Sequence, residues 1–420
     1  MINYNKLQPW LIWLTATCFV FFQFLIQTST SVMIPAFMKE FQITPLQVGL
    51  LSSSYFYSYL TMQLPAGMLV DRFGARKVLS LGIILFTAAC WLFAHTTNFY
   101  VAQVSRILMG LGAAPVISTT FALVAHWFPA NRFALIIGLT DTLGMLGGIA
   151  GQAYLAGWVE QIGWRSTITG CFFVGIIIAL FIVLIVRDQP KAIDSPEQTV
   201  NPFTQLSEVI KLPQIWLNGI YVAMVWGAAI AFTGLWSVPF LQAQYQLSLT
   251  TAASISSVVF VGIATATPIT GWLVDNFSHL RRPLMFGWTI AGLVSLTLAI
   301  YCTHLPLLLL IILLFLFGCS TSSYIISFAL VRETTSATAR ATAMGFTNMM
   351  SLLVGSPILQ PIIGYFLKAH TGNSTIATNI HFAASDFKKA FIILPICLLI
   401  ALLSAAFINT TTPLTNCQSD

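Results

Sequence analysis

The chain has 420 residues, of which 57% are hydrophobic and only 7% are charged. A soluble domain carries about 25% charged residues, so this composition excludes a water-soluble body of this size. The net charge of +6 does not indicate a nucleic-acid partner, because the lysines and arginines are dispersed at the ends of long apolar blocks. These blocks have the length of helices, which satisfy their own backbone hydrogen bonds in lipid. We therefore predict an all-α, polytopic membrane protein.

Twelve apolar blocks follow one another along the chain, each long enough for a helix that crosses a bilayer. The first six fall at about 9–34, 45–70, 77–96, 99–127, 133–158 and 165–186. A polar stretch over 187–211 follows, and the second six fall at about 213–241, 250–274, 283–302, 305–331, 340–367 and 388–408. We predict an N-terminal six-helix bundle over 1–187, a cytoplasmic linker over 188–212 and a C-terminal six-helix bundle over 213–420.

The basic residues predict the orientation of these helices. If both termini are cytoplasmic, most of the 18 lysines and arginines fall in cytoplasmic segments, as the positive-inside rule requires. The opposite orientation would place most of them on the outer side. We therefore predict a multi-pass protein with both termini in the cytoplasm.

An internal repeat relates the two predicted bundles. The segment Gly67–Phe73 (Gly-Met-Leu-Val-Asp-Arg-Phe) recurs as Gly271–Phe277 (Gly-Trp-Leu-Val-Asp-Asn-Phe), and a basic pair follows each copy. Each copy lies at the end of the second predicted helix of its bundle. A second correspondence relates residues 132–138 to residues 340–345, both at the start of a fifth helix. The repeats predict two parallel bundles related by an axis along the membrane normal.

The first copy of the repeat carries a known signature. Gly67-x-x-x-Asp71-Arg72-x-Gly74-x-Arg76-Lys77 resembles, in every element, the loop between the second and third helices of the major facilitator superfamily. Arg106-x-x-x-Gly110-x-Gly112 resembles the fourth-helix motif of that superfamily. The resemblance covers the entire chain. It implies the fold of that superfamily, twelve transmembrane helices in two pseudo-symmetric six-helix bundles, and transport as the function.

A narrower resemblance is to the phagosomal transporter (Pht) group of intracellular proteobacteria. It rests on four stretches, residues 55–67, 127–133, 144–148 and 163–165. Characterised members of that group import amino acids or nucleosides. The resemblance implies the same substrate classes here and a location in the inner membrane of a bacterial cell.

The resemblance also implies a gate at the cytoplasmic side. In the superfamily the carboxylate of Asp71 lies against the start of helix 11, near residues 338–340, when the inner side is closed. By pseudo-symmetry Asp275 would meet the start of helix 5, near residues 130–132. In the second copy Asn276 and Ser278 replace an Arg and a Gly, so we expect the second latch to be weaker. The alternative is an ordinary charged loop that obeys the positive-inside rule. The predicted gating residues are Gly67, Asp71, Arg72, Gly74, Arg76, Arg132, Asp275 and Arg340.

Two ionisable residues lie well inside predicted helices. Arg106 is about seven residues into the fourth helix, on the order of 10 Å deep at 1.5 Å per residue. Such a residue usually faces a polar cavity or pairs with another group, and the alternative is a snorkelling arginine at the outer interface. Asp141 lies about nine residues into the fifth helix, roughly 13 Å from the inner face by the same rise. We expect Arg106 to face a cavity. We also hypothesise that an ion pair between Asp141 and Arg106 forms and breaks during proton coupling. The alternative is a bridge between the two side chains that stays fixed. Close relatives, as the resemblance suggests, usually lack an acid at position 141.

In the superfamily the substrate cavity is lined by helices 1, 4, 7 and 10, and this chain offers amides and aromatic rings there. Gln23 and Gln27 are one helical turn apart and share a face. Amides and phenols around one cation suit a small zwitterion or a polar neutral molecule better than a lipophilic drug. Packing between helices is the alternative role for each of these residues. The further candidates are Trp226, Trp236, Tyr324, Tyr55, Tyr59, Gln152, Asn348 and Gln360.

Catalytic and metal-binding motifs do not appear in the sequence. The six histidines are scattered without metal-ligand spacing, and no nucleophile elbow, Walker motif or dinucleotide fingerprint occurs. We therefore expect no enzyme activity, no metal and no cofactor. Transport would be driven by an ion gradient or by the substrate gradient alone.

These observations lead to one favoured function and two alternatives. We predict a monomeric secondary transporter that imports a small polar nutrient by alternating access, with protons as a coupling ion and membrane lipids as its surroundings. One alternative is an exporter of a metabolite, a siderophore or a drug. Drug antiporters of the superfamily characteristically have a Gly-Pro element in helix 5, which this chain lacks over residues 147–151. The other alternative, of a different class, is a membrane receptor or scaffold that transports nothing.

Overall fold

A computed structural model of the protein describes residues 7–188, 207–335, 340–370 and 382–409. All regular secondary structure in these segments is helical. Six membrane helices make up the first half of the chain: α1 (Gln8–Val32), α2 (Pro45–Phe73), α3 (Ala75–His95), α4 (Phe99–Trp127), α5 (from Ala130 to the break at Gly163) and α6 (164–185). A short helix, Ile34–Phe41, follows α1 and was not predicted.

The second half contains the helices α7 (Pro213–Tyr245), α8 (Leu249–Asn276), α9 (Arg281–Tyr301), α10 (Leu307–Thr334), α11 (340–370) and α12 (Ala384–Phe407). Within the described residues, ten stretches are long and apolar enough to cross a membrane. One of them, Leu135–Ile185, has 51 residues and breaks at Gly163, so it contains two crossings. The 29-residue helix Pro45–Phe73 completes the set. The predicted twelve-helix fold is confirmed, with boundaries within a few residues of those expected.

Local sequence explains where several helices begin and end. Thr44 caps α2 in a capping box with Gln47, and Pro45 stands at the first helical position, where its missing N–H costs nothing. The side chain of Asn98 accepts hydrogen bonds from the backbone N–H groups of Tyr100 and Val101 and so caps α4. Gly163 ends α5 because its φ of 79° lies in a region that favours glycine.

Three helices contain a π-helical turn. These turns are Ala150–Tyr154 in α5, Phe232–Trp236 in α7 and Gly355–Leu359 in α11. A π-turn inserts an extra residue into the helical ladder and frequently occurs at functional sites. Three predicted site residues, Gln152, Trp236 and Gln360, lie in these turns or directly after one.

The chain divides into two compact units. The first comprises Met1–Ala192, Gly234–Ser257 and Gln360–Ala384, and the second comprises Ile193–Thr233, Val258–Leu359 and Ser385–Asp420. The predicted linker 188–212 lies mostly outside the described residues, and the predicted division into bundles at that linker stays a prediction.

Glycines bring helices together inside each unit. In the first unit, a Cβ atom at Gly110 of α4 would collide with the backbone of Tyr55 in α2. In the second unit, a Cβ atom at Gly318 of α10 would collide with the backbone of Val259 in α8. Small residues at helix interfaces allow this close approach in membranes, where lipid offers no hydrophobic drive for helix association.

Candidate substrate site and gate

Arg106 lies inside the first unit and not on its surface. Its side chain is only 2% exposed, and its guanidinium carbon is 5.0 Å from the centroid of the Tyr55 ring. The close approach of α2 and α4 at Gly110 brings these two residues together. This enclosure does not fit the alternative of a snorkelling arginine at the membrane interface.

The charge of Arg106 is poorly compensated. Its Nη1 donates a long hydrogen bond of 3.8 Å to the sulfur of Met109, and Nε and Nη2 have no partner among the described residues. The ring of Tyr55 offers a cation–π contact, worth about 2 kcal/mol when desolvated. An ionised group buried without a counter-ion costs several kcal/mol. Arg106 is therefore a buried cation without a counter-ion among the described residues.

Other predicted site residues of the first unit are also buried or half-buried. The buried hydroxyl of Tyr55 has no hydrogen-bond partner in the described structure, and its ring stacks on that of Tyr59 at 6.0 Å. Gln23 of α1 is 1% exposed, and its Oε1 also lacks a partner among the described groups. Gln27, one turn further, is half-buried. We call Tyr55, Tyr59 and Arg106 the Arg106 cluster.

Asp141 does not join the Arg106 cluster in this structure. Its side chain is exposed on α5, whereas the nitrogen atoms of Arg106 contact Met109 or have no partner among the described residues. The hypothesised Asp141–Arg106 bridge is not formed in this conformation. A role of Asp141 in proton coupling stays a prediction.

A hydrogen-bonded chain crosses the first unit at Gln152. The amide nitrogen of Gln152 donates to Ser31 of α1 (3.1 Å), and its amide oxygen accepts from Ser256 of α8 (3.2 Å). Ser256 also shares a 2.5 Å hydrogen bond with Ser237 of α7. These four side chains are buried, so the chain of hydrogen bonds satisfies polar groups that would otherwise be costly.

Two more predicted contacts, Trp236 and Gln360, meet each other in the first unit. The indole nitrogen of Trp236, which is fully buried, donates to the carbonyl oxygen of Gln360 at 3.1 Å. In this conformation Trp236 and Gln152 make contacts between helices. Packing between helices is the alternative role given above for each candidate. Their contact with substrate stays a prediction.

The predicted contacts of the second unit form an aromatic pair. The rings of Trp226 in α7 and Tyr324 in α10 are 4.9 Å apart, and Tyr324 also packs on Phe328 at 6.0 Å. Asn348 in α11 is half-buried, and its backbone carbonyl accepts from the hydroxyl of Ser351.

At the predicted gate, the corner between α2 and α3 is formed by Gly74 and by contacts with residues at the end of α6. Gly74 has a φ of 85° and a ψ of 156°, a conformation open essentially to glycine alone. The carboxylate of Asp188, beyond α6, accepts a 2.9 Å hydrogen bond from the backbone N–H of Arg76 at the start of α3. The guanidinium of Arg76 donates to the carbonyl of Val183 at 2.7 Å. Asp188 thus caps α3, a role that the sequence did not indicate.

The latch partners of the gate are described less completely. The side chains of Asp71 and Arg340, Gly67 and residues 336–339 lie outside what the structure describes. Arg132 and Asp275 are exposed, and Arg72 stacks over Phe73 at 5.3 Å. The latches at Asp71 and Asp275 stay predictions.

Two ion pairs could not be predicted from the sequence because their partners are far apart along the chain. Arg281 of α9 makes two hydrogen bonds, 2.6 and 2.7 Å long, to the carboxylate of Glu333 in α10. Arg165 of α6 pairs with Glu40, whose other oxygen accepts from the indole of Trp164. No local pattern marks either pair in the sequence.

The twelve membrane helices of the described segments, and an enclosed cation without a described counter-ion, define the class of this protein, a polytopic helical membrane protein with an internal polar site. The family model of the Major Facilitator Superfamily matches residues 16–358 and 235–418. The chain belongs to the Major Facilitator Superfamily. It is a membrane transporter and not an enzyme.

Curated relatives span different activities. "Uncharacterized transporter YybO" of Bacillus subtilis (strain 168) is 26% identical over 315 residues, 67% of this chain and 72% of that protein. "Probable anion transporter 4, chloroplastic" of Oryza sativa subsp. japonica is 24% identical over 305 residues, 65% of this chain and 50% of that protein. "Quinolone resistance protein NorA" of Staphylococcus aureus (strain MRSA252) is 25% identical over 169 residues, 40% of this chain and 43% of that protein. The chain thus matches about half the length of the last two relatives.

Solved structures share the fold at low sequence identity. A bacterial homolog of the human lysosomal transporter Spinster superposes with a TM-score of 0.81 at 16% identity, covering 96% of this chain and 97% of that chain. The nucleoside transporter NupG superposes with a TM-score of 0.73 at 16% identity, covering 94% and 98%. At these identities the likeness establishes the fold alone.

Proposed function

We propose that this transporter imports a small polar solute that carries a carboxylate, with amino acids as the favoured class, across the inner membrane of a bacterial cell. The observation that carries the proposal is the buried guanidinium of Arg106, two of whose nitrogens lack a partner among the described residues. A carboxylate is the group that matches a guanidinium in charge and geometry.

The charge balance of the Arg106 cluster supports an anionic substrate. No described carboxylate is hydrogen-bonded to Arg106, and the neighbouring groups are the ring of Tyr55 and the sulfur of Met109. Binding of a carboxylate would supply a counter-charge and would also give an acceptor to the hydroxyl of Tyr55, which has no partner among the described residues. The substrate itself would then complete a polar network that costs free energy when incomplete.

The named relatives and the resembled transporter group favour one class of carboxylate substrate over the others. The rice relative is named as an anion transporter, and the phagosomal transporter group, which the sequence resembles, imports amino acids or nucleosides. An amino acid satisfies both likenesses, because it is zwitterionic and carries a carboxylate. Nucleosides lack that anion and are the second substrate class to test, followed by sugar acids.

Uptake into proteoliposomes tests the proposal. Labelled amino acids, sugar acids and nucleosides would be offered with and without an inward proton gradient. We expect an amino acid to accumulate, and Arg106→Ala to lower its uptake about 10- to 100-fold, the effect of losing a hydrogen-bonded charge pair. Arg106→Lys should retain part of the uptake. Arg332→Ala, which removes an exposed arginine of α10, is the matched control and should transport normally.

The outcomes separate the parts of the proposal. Uptake by Arg106→Ala equal to that of the control would remove Arg106 from the substrate site, provided that both variants elute as folded monodisperse protein. Asp141→Asn tests proton coupling, because it keeps the size of the side chain and removes its charge. Proton-driven accumulation that survives this change would rule out Asp141 as the coupling group.

Export is the second candidate, and the match to NorA over 40% of the chain favours testing it. Rescue of drug-sensitive cells without any solute uptake would support export. A receptor or scaffold, the candidate of another class, would move no labelled compound in either direction and would not be stabilised by any metabolite.

A further inference from the structure

A groove opens on the first unit where α3 ends and α6 begins. Its volume is about 610 Å³, and it is lined at one end by His95, Thr97, Arg165 and Ser166. At the other end it is lined by Gly170 and Phe173 of α6. The groove therefore has a polar end and an apolar end, and the topology prediction places the polar end at the outer surface of the membrane.

At the polar end, three contacts fix the side chain of Arg165, but not all of its N–H groups have a partner among the described residues. Its Nε pairs with Glu40, its Nη1 donates to the carbonyl of Ala94, and its guanidinium carbon lies 4.4 Å from the ring of Trp164. The buried Nη2 has no partner among the described residues. Both oxygens of Glu40 are already engaged, by Arg165 and by Trp164. The side chain is still 27% exposed and lines the groove, so part of this cation remains accessible to an anionic group there.

The apolar end follows α6 down into the membrane, on the helix face that Ser166 shares with Gly170 and Phe173. Gly170 is five residues and Phe173 eight residues beyond Arg165, which places them about 7.5 and 12 Å deeper at 1.5 Å per residue. A Cβ atom at Gly170 would meet no atom within 4 Å, so the absent side chain leaves an open channel. Phe173 is 59% exposed, and the exposed Ile176, Ile177 and Leu180 continue this surface. The surface suits hydrocarbon and not water.

We propose that this groove binds one phospholipid of the adjacent leaflet. The lipid phosphate pairs with the accessible part of the Arg165 guanidinium, and one acyl chain lies in the channel at Gly170 beside Phe173. The order of polar and apolar groups along α6 matches the order of phosphate and acyl chain in a lipid. A free phosphate would match the polar end alone and would leave the channel unexplained.

Native mass spectrometry tests the groove on the delipidated full-length protein in detergent. Dioleoyl phosphatidylglycerol would be titrated, and the dissociation constant of the first bound lipid measured. We expect Gly170→Leu to weaken this binding about tenfold, the affinity carried by roughly two buried methylene groups. The variant should fold normally, because the position is open. Gly287→Leu is the matched control, since Gly287 in α9 is exposed and equally open, and it should bind the lipid as the wild type does.

A second pair of probes tests the phosphate without altering the protein. Dioleoylglycerol, which has the same chains and no phosphate, should bind more weakly than the phospholipid, and glycerol 3-phosphate, which has no chains, should not displace the bound lipid. Equal binding by Gly170→Leu and Gly287→Leu, or equal binding of the two lipids, would overturn the proposal. Displacement by glycerol 3-phosphate would also overturn it and would identify a site for soluble anions.

Discussion

The α2–α3 corner and the α8–α9 corner are the two copies of one repeat, yet different chemistry stabilises each of them. Both follow a Gly-x-Leu-Val-Asp-type segment, and both carry a basic pair at the start of the next helix. Arg76 donates to the carbonyl of Val183 near the end of α6, and Arg282 donates to the carbonyl of Ala406 near the end of α12. This shared contact joins the third helix of each half to its sixth.

The corners differ in how the turn itself is made. In the first, Gly74 supplies a backbone conformation with positive φ, and the carboxylate of Asp188 caps α3. In the second, a 3₁₀ turn, Ser278–Leu280, replaces the glycine turn, and Arg281 forms its ion pair with Glu333. The comparison teaches that a duplicated fold keeps its topology while the interaction that stabilises each copy changes. The glycine is needed in only one of the two.

The largest expected effect in this comparison is that of Gly74→Ala. Forcing an L-residue into this conformation costs about 1–3 kcal/mol, and the new Cβ would collide with the carboxylate of Asp188, displacing a cap worth about 1 kcal/mol. We expect the free energy of unfolding to fall by about 3 kcal/mol in total. Denaturant titration of the detergent-solubilised protein measures it.

Gly163→Ala is the matched control for that change. Gly163 has a similar φ of 79°, but a Cβ atom there would meet no atom within 4 Å. This variant should show the backbone strain without the collision and should be less destabilised than Gly74→Ala. Equal losses in the two variants would show that the contact with Asp188 adds nothing.

Glu333→Ala should have the next largest effect, in the second corner. It leaves Arg281, which is 7% exposed, without its carboxylate. Because Glu333 is itself partly exposed, we expect a loss of about 2 kcal/mol, between the values for surface and for fully buried pairs. Thermal unfolding followed by tryptophan fluorescence measures the change, and Arg332→Ala, which removes the exposed charge next to Glu333, provides a control. A melting temperature equal to that of the wild type would show that this pair does not stabilise the corner.

Asp188→Ala should have the smallest effect, about 1 kcal/mol, the usual value of a helix cap with a favourable charge at the N-terminus. Asp188→Asn keeps an acceptor oxygen and should recover about half of that loss. The loss should also shrink as salt is added, because Asp188 is exposed. An effect of Asp188→Ala as large as that of Gly74→Ala would mean that the cap, and not the glycine conformation, dominates the first corner.

Much of the fold could be predicted because each helix is encoded locally. The predicted block 99–127 coincides with α4, and the prediction for α2 ends only three residues before Phe73. The short helix Ile34–Phe41 and the three π-turns were not predicted. The short helix and the π-turns depend on how neighbouring helices pack, and the hydropathy of a segment carries no information about that packing.

The candidate site could be predicted only in part. Arg106 was identifiable because a charge inside an apolar block is expensive. Its contact with Tyr55 was not, because the rotation of α2 about its own axis decides which residue faces α4. The cap by Asp188 joins residues 112 positions apart, and the pair of Arg281 with Glu333 joins residues 52 positions apart. The spacing of residues within a helix cannot predict contacts between residues so far apart along the chain.

The sequence by itself determined the membrane location, the twelve helices and the repeated corners, because hydrophobicity and charge act on each segment separately. Only the tertiary structure decided that Arg106 is enclosed without a described counter-ion, that Asp141 lies apart from it, and that the two corners are stabilised differently. The physical reason is that a membrane helix is apolar around most of its circumference. Its composition therefore leaves the rotation undetermined, and close contacts such as that of Gly110 with Tyr55 determine which polar groups meet.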